Sequence, residues 1–105
     1  MFVKVSASGS VTLEDRGNFR AFKLVIEGDP TKIDDARRAL AGAADISDKD
    51  TAWVFAAVLR GRPEIAQDAA WQQSFDAMME KAKPHGWIDE QRKAIKAHIE
   101  WVSPA

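Results

Sequence analysis

Hydrophobic and polar residues alternate over residues 2–26, whereas from residue 30 to residue 102 the apolar residues recur every three or four positions. The first spacing is that of strands and the second is that of amphipathic helices. A run of strands followed by a run of helices is typical of α+β proteins. The sequence therefore predicts a single α+β domain over residues 1–105, in which an N-terminal three-stranded antiparallel meander packs against about four C-terminal α-helices.

The predicted sheet occupies residues 2–26, where three short runs carry the apolar and β-branched residues that strands favour. The runs span residues 2–6, 11–14 and 19–26, and the third, FRAFKLVI, is the strongest. Between the second run and the third, residues 15–18 supply the Gly and Asn that tight hairpin loops favour. We therefore expect each strand to pair with the strand that follows it.

Helices are predicted over the later segments because each shows helical periodicity and is bounded by capping or helix-breaking residues. In the longest of them, Trp71, Phe75 and Met78 recur with the spacing of one buried stripe. The four predicted helices cover residues 30–43, 48–60, 63–83 and 88–102.

One part of the second predicted helix allows two interpretations. Residues 52–59 (AWVFAAVL) are apolar nearly all round, which suits a buried strand as well as a central helix. The alanines in this run and the capping residue Ser47 favour the helix. Periodicity alone does not separate the two.

The last predicted helix carries two apolar stripes side by side. Ile95, Ile99 and Val102 lie in one stripe, and His98 and Trp101 lie in the other. Two adjacent stripes indicate a helix that is deeply buried or that covers a partner with its second side.

Composition narrows the class of protein further. The chain has no Cys, which excludes disulfides, a thiol nucleophile and a thiolate metal site. Its formal net charge is −1 and it has no basic tail, which disfavours nucleic-acid binding. The longest apolar run, Ala52 to Leu59, is far shorter than the ~20 residues of a membrane span. The start MFVKVSASGS also lacks the apolar segment of a signal peptide. We therefore expect a soluble cytoplasmic protein.

Motifs that specify a reaction are missing from the sequence. There is no phosphate-binding GxxxxGK[ST] or GxGxxG, no zinc-binding HExxH and no GxSxG around a serine nucleophile. The acidic residues near the predicted helix starts suit capping better than metal binding. The sequence therefore predicts no cofactor and no metal, and it disfavours an enzyme.

A candidate ligand site lies around the loop that follows the third predicted helix. This loop places His85 beside Trp87. If His98 and Trp101 of the next helix pack close by, the four side chains make a pocket for a small aromatic or cationic ligand, or supply a general base. The simpler alternative is that Pro84 and Gly86 only break the helix and Trp87 closes the core.

Apolar surface left uncovered favours a different function, a protein-interaction module that forms a homodimer. A three-stranded sheet has two free edges, its third strand is apolar on both faces, and the last helix has a second stripe. The candidate interface residues are Phe19, Ala21, Lys23, Val25 and Trp101. The ligand site around His85, Trp87, His98 and Trp101 is the alternative function, and nucleic-acid binding is the least favoured.

Overall fold

A seven-stranded mixed sheet runs through residues 1–103, the part of the chain that the computed structural model describes. The strands are β1 (Phe2–Val5), β2 (Val11–Glu14), β3 (Lys23–Glu27), β4 (Ala44–Ile46), β5 (Thr51–Phe55), β6 (Ile88–Asp89) and β7 (Ala94–Val102). The helices are α1 (Ile33–Ala39), α2 (Ala56–Arg60) and α3 (Ala69–Ala82), with short 3-10 turns at Pro30–Lys32 and Lys83–His85.

The strand order is β2-β1-β3-β7-β5-β4, and β6 lies beside β7. Strands β1, β3 and β7 are parallel neighbours, and the remaining pairs are antiparallel. The predicted meander of three strands on about four helices is therefore wrong. Strand β3 pairs with β1 and not with β2, because residues 15–18 close a local turn and the chain then stays irregular until Lys23.

The segment 88–102, predicted as a helix, is a pair of strands in the structure. In β7, Ile95, Ala97 and Ile99 are buried, whereas Lys96 and His98 between them are exposed. This is strict two-residue alternation. The helical interpretation was wrong because Ile95 and Ile99 are four residues apart, a spacing that fits one face of a helix and one face of a strand equally well.

The segment 48–60, also predicted as a helix, divides into two elements. Residues Thr51–Phe55 form β5, and Ala56–Arg60 form α2. The first half carries Thr, Trp, Val and Phe, which suit a pleated sheet, and the second half carries Ala and Leu, which suit a helix. The boundary thus follows local propensity within one continuous apolar run.

The other two predicted helices are shorter than expected. Residues 30–43 contain a 3-10 turn and α1, which ends at Ala39. In the segment 63–83, α3 begins only at Ala69, because Asp68 caps it by accepting a hydrogen bond from the Trp71 backbone N–H at 3.0 Å.

The core lies between one face of the sheet and the three helices. Leu24 and Phe75 are fully buried, and Trp71 stacks on Phe75 with ring centroids 5.0 Å apart. The Trp71 indole N–H donates to the Arg16 carbonyl at 2.8 Å, so the loop before β3 is fastened to α3. None of the helices in residues 1–103 is long and apolar enough to cross a bilayer.

Replacing the buried ring at the centre of α3 tests this packing. Phe75→Ala should lower the free energy of unfolding by about 3–5 kcal/mol, because it removes a large apolar side chain and leaves a cavity. Val58 is 38% exposed, so Val58→Ala should change stability by less than about 0.5 kcal/mol. Urea unfolding of both variants measures the difference, and equal losses would contradict the core described here.

Candidate functional site

Strand β7 has two different neighbours along one of its edges. At its start, Ile95 lies opposite Ile88 of β6, and from His98 onward it pairs with β3, beginning at Lys23. Strand β5 covers the other edge. The sheet is therefore split between β6 and β3, next to the middle of β7.

Two chain segments enter the sheet at this split. Phe22 immediately precedes β3, and Trp87 immediately precedes β6. The Trp87 carbonyl accepts a hydrogen bond from the Lys96 backbone N–H at 2.7 Å, which fixes one side of the split to β7. Phe22 and Trp87 both line an open space beside β7.

This space is a cleft of about 740 Å³. Sites for small molecules are typically about 300–1,000 Å³, so its size suits a small organic ligand. Its walls come from the loop before β3, the start of β5, the end of α3 with the following turn, and β7. The lining residues are Phe19, Arg20, Ala21, Phe22, Asp50, Thr51, Met78, Lys81, Ala82, His85, Trp87, Ile95, Lys96 and His98.

The buried part of the cleft is apolar. Met78 and Ala82 of α3 and Ile95 of β7 are the buried residues among those lining it. Phe19 and Phe22 are partly buried and pack against the same core cluster. A flat apolar group of a ligand would leave water and contact these side chains when it entered the cleft.

An aromatic pair stands at the cleft beside β6. The His85 imidazole stacks on the Trp87 indole with centroids 4.4 Å apart and an angle of 19° between the rings. Gly86 between them has φ +75°, a backbone conformation that L side chains rarely adopt. Trp87 is 47% exposed, the highest value among the large apolar side chains of residues 1–103.

The structure brings three of the four predicted ligand-site residues into this cleft. His85, Trp87 and His98 all line it, and Thr51 of β5 lies directly opposite His98 in the sheet. Trp101 does not line it, and its indole N–H donates to the Lys49 carbonyl at 2.7 Å. In a helix His98 and Trp101 share a face, but in a strand an odd separation puts them on opposite faces.

Several lining residues were missed by sequence reasoning, and they carry most of the charge. Arg20, Lys81 and Lys96 make no ion pair within residues 1–103. Asp50 is the one carboxylate in the lining. The alternation of Lys96 and His98 along β7 was the available signal, but it becomes visible only once that segment is interpreted as a strand.

Two cations outside the lining are paired with carboxylates. Lys83 Nζ lies 2.8 Å from Glu80 and 3.6 Å from Glu90, and the hydrogen bond to Glu80 raises the pKa of Lys83. Arg92 donates to Asp89 and to Asp45, both at 2.7 Å. These two cations have carboxylate partners, whereas Arg20, Lys81 and Lys96 in the lining have none within residues 1–103.

The predicted interface residues are dispersed in the structure. Phe19 and Ala21 line the cleft, and Lys23 Nζ lies 2.6 Å from Glu100. Val25 is on the sheet face opposite the core, yet it is only 7% exposed. The stems of long charged side chains cover apolar surface well.

Charged residues surround Val25 on every side of that face. Its neighbours across the sheet are Lys4 and Glu100, and Lys23 and Glu27 lie two positions away on its own strand. These four form two ion pairs, Lys23 with Glu100 and Lys4 with Glu27, the latter at 4.0 Å. The part of the predicted interface that lies on β3 thus carries ion pairs formed within one chain.

The homodimer stays a prediction, and light scattering at micromolar concentration tests it. A mass near 11.6 kDa means a monomer, and twice that mass means a dimer. If a dimer forms through the β3 face, Lys23→Ala and Lys4→Ala should alter its dissociation constant, whereas Lys32→Ala, outside that face, should not. A monomer over the whole concentration range would contradict the homodimer.

Metal coordination has no candidate in the described part of the chain, since no three His, Asp or Glu side chains of residues 1–103 come together as ligands.

Comparison of the chain with family models, curated proteins and solved structures finds no match. The cleft is therefore interpreted from its own chemistry.

Proposed function

We propose that this protein binds a small organic molecule in the cleft between β3 and β6. The observation that carries the proposal is the half-exposed Trp87 at a 740 Å³ opening whose buried walls are apolar. A concave apolar site with a few polar groups is the usual form of a small-molecule site.

The aromatic residues of the cleft favour a ligand with a flat ring. His85 covers one side of the Trp87 ring, and Phe19 and Phe22 supply further ring surface from the loop before β3. Aromatic pairs are stabilised by about 0.5–1.5 kcal/mol beyond the burial of their area. A planar ligand gains this stabilisation from ring stacking in addition to that from the burial of its own apolar surface.

Rigid elements hold the walls of the cleft. Trp71 packs between Phe19, at 5.7 Å, and Phe75, at 5.0 Å, and so connects the loop before β3 to the buried side of α3. The Trp87 backbone is bonded to β7. A site whose walls are fixed in advance loses little conformational entropy when a ligand binds.

Indole N–H signals in a proton–nitrogen NMR spectrum test the proposal directly. Trp87 reports on the cleft, Trp53 lies outside its lining, and the Trp71 and Trp101 indoles are hydrogen-bonded to the backbone. In a screen of small planar compounds, at least one should shift the Trp87 signal saturably and clearly more than the Trp53 signal. A screen that leaves Trp87 unmoved, or that moves both signals alike, would contradict the proposal.

Removing the aromatic platform should weaken a compound found in this way. Trp87→Ala is expected to lower its affinity about tenfold, because the stacking surface is lost; isothermal titration calorimetry measures this affinity, since the variant has no Trp87 signal. Trp53→Ala is the control: the Trp53 ring packs with Arg92 and does not line the cleft, so this change should affect the affinity much less than Trp87→Ala. An intact Trp71 signal shows that each variant is folded, and equal affinities for both variants would argue against Trp87 as part of the site.

A further inference from the structure

Resting on the binding function proposed above, we infer that the ligand is a planar organic anion, such as an aromatic carboxylate. The chemical class follows from the charges that line the cleft. These charges specify the charge of the ligand, whereas the volume and the aromatic residues of the cleft indicate only its size and its ring.

The cleft is positive although the protein is not. Its lining holds three basic side chains, Arg20, Lys81 and Lys96, and one acidic side chain, Asp50, which gives a formal charge of +2 with both histidines neutral. The whole chain has a formal charge of −1. A concave surface of one sign attracts ligands of the opposite sign.

The three basic groups are available to a ligand because no carboxylate of residues 1–103 lies within ion-pair distance of them. Some cations outside the lining are neutralised, for example Lys23 by Glu100 and Arg60 by Asp76. A ligand carboxylate would accept charge-assisted hydrogen bonds, which are shorter and stronger than neutral ones.

A cationic ligand fits the same cleft poorly. It would meet three positive side chains, and one side of the Trp87 ring, which attracts cations in other sites, is already covered by His85. The aromatic residues therefore act as a stacking surface and not as a cage for a cation.

The lining also separates apolar from polar groups across β7. Ile95 lies on the core side of the strand with Met78, whereas Lys96 and His98 are exposed, with Thr51 opposite His98. The ring of the ligand is thus placed toward Ile95 and Met78, and its anionic group toward Lys96 and His98.

Three probes with the same ring and different charge test the inference: 2-naphthoate, 2-naphthamide and 2-naphthylmethylammonium. The naphthoate should bind at least about tenfold more tightly than the amide, and the ammonium compound most weakly. Raising NaCl from about 50 mM to about 500 mM should weaken the naphthoate and leave the amide unchanged, because salt screens only the charged pair. Affinity is read from the Trp87 indole signal.

Matched lysine variants locate the charge that recognises the anion. Lys96→Gln should lower naphthoate affinity about tenfold and leave naphthamide affinity unchanged. Lys32→Gln removes the same charge from a lysine outside the cleft, and it should change neither affinity. Equal loss in the two variants would overturn the inference, because it would show an effect of overall charge.

The outcomes separate the ligand class from the binding function. If the amide or the ammonium compound moves the Trp87 signal and binds as tightly as the naphthoate or tighter, the anionic class is wrong and the binding function stands. If none of the three probes moves that signal at millimolar concentration, the planar anion is wrong, and the wider compound screen then decides on the binding function.

Discussion

Pairing along both edges of β7 is the constraint on which the rest of the structure depends. This nine-residue strand is hydrogen-bonded to β5 on one edge and to β6 and β3 on the other. Because side chains alternate along the strand, Ile95, Ala97 and Ile99 lie in the core, and Lys96 and His98 are exposed. The change of neighbour along one edge opens the sheet, so the same strand that organises the core also creates the cleft.

Helix α3 completes this arrangement from the core side. Phe75 is fully buried against the sheet, and Trp71 joins it to the loop before β3 through Phe19 and the Arg16 carbonyl. At its other end, Met78 and Ala82 line the cleft and the chain turns to His85 and Trp87. Core packing and the shape of the cleft therefore depend on one helix, and a change that rotates α3 would alter both.

Local patterns in the sequence predicted the positions of some elements, but they did not predict which distant strands pair. The positions of β1 and β2 and the buried stripe of Trp71, Phe75 and Met78 could be predicted from alternation and helical spacing. The order of the strands could not, because β1–β3 and β3–β7 pairs join residues far apart in the chain. His85, Trp87 and His98 do share a cleft, but Trp101 faces elsewhere since its segment is a strand and not a helix.

The position of β7 in the sheet has a consequence for how the chain acquires its structure. Ribosomes deliver β1, β3 and β5 well before β7, and β3 and β5 are connected to each other in the sheet only through β7. Until β7 emerges, β3 has one unpaired side and the β4–β5 ribbon has nothing to join. Contacts between distant segments make folding slow and leave open strand edges exposed in the meantime. Nascent chains of this protein thus pass through a stage at which the edges of β3 and β5 that later pair with β7 are open.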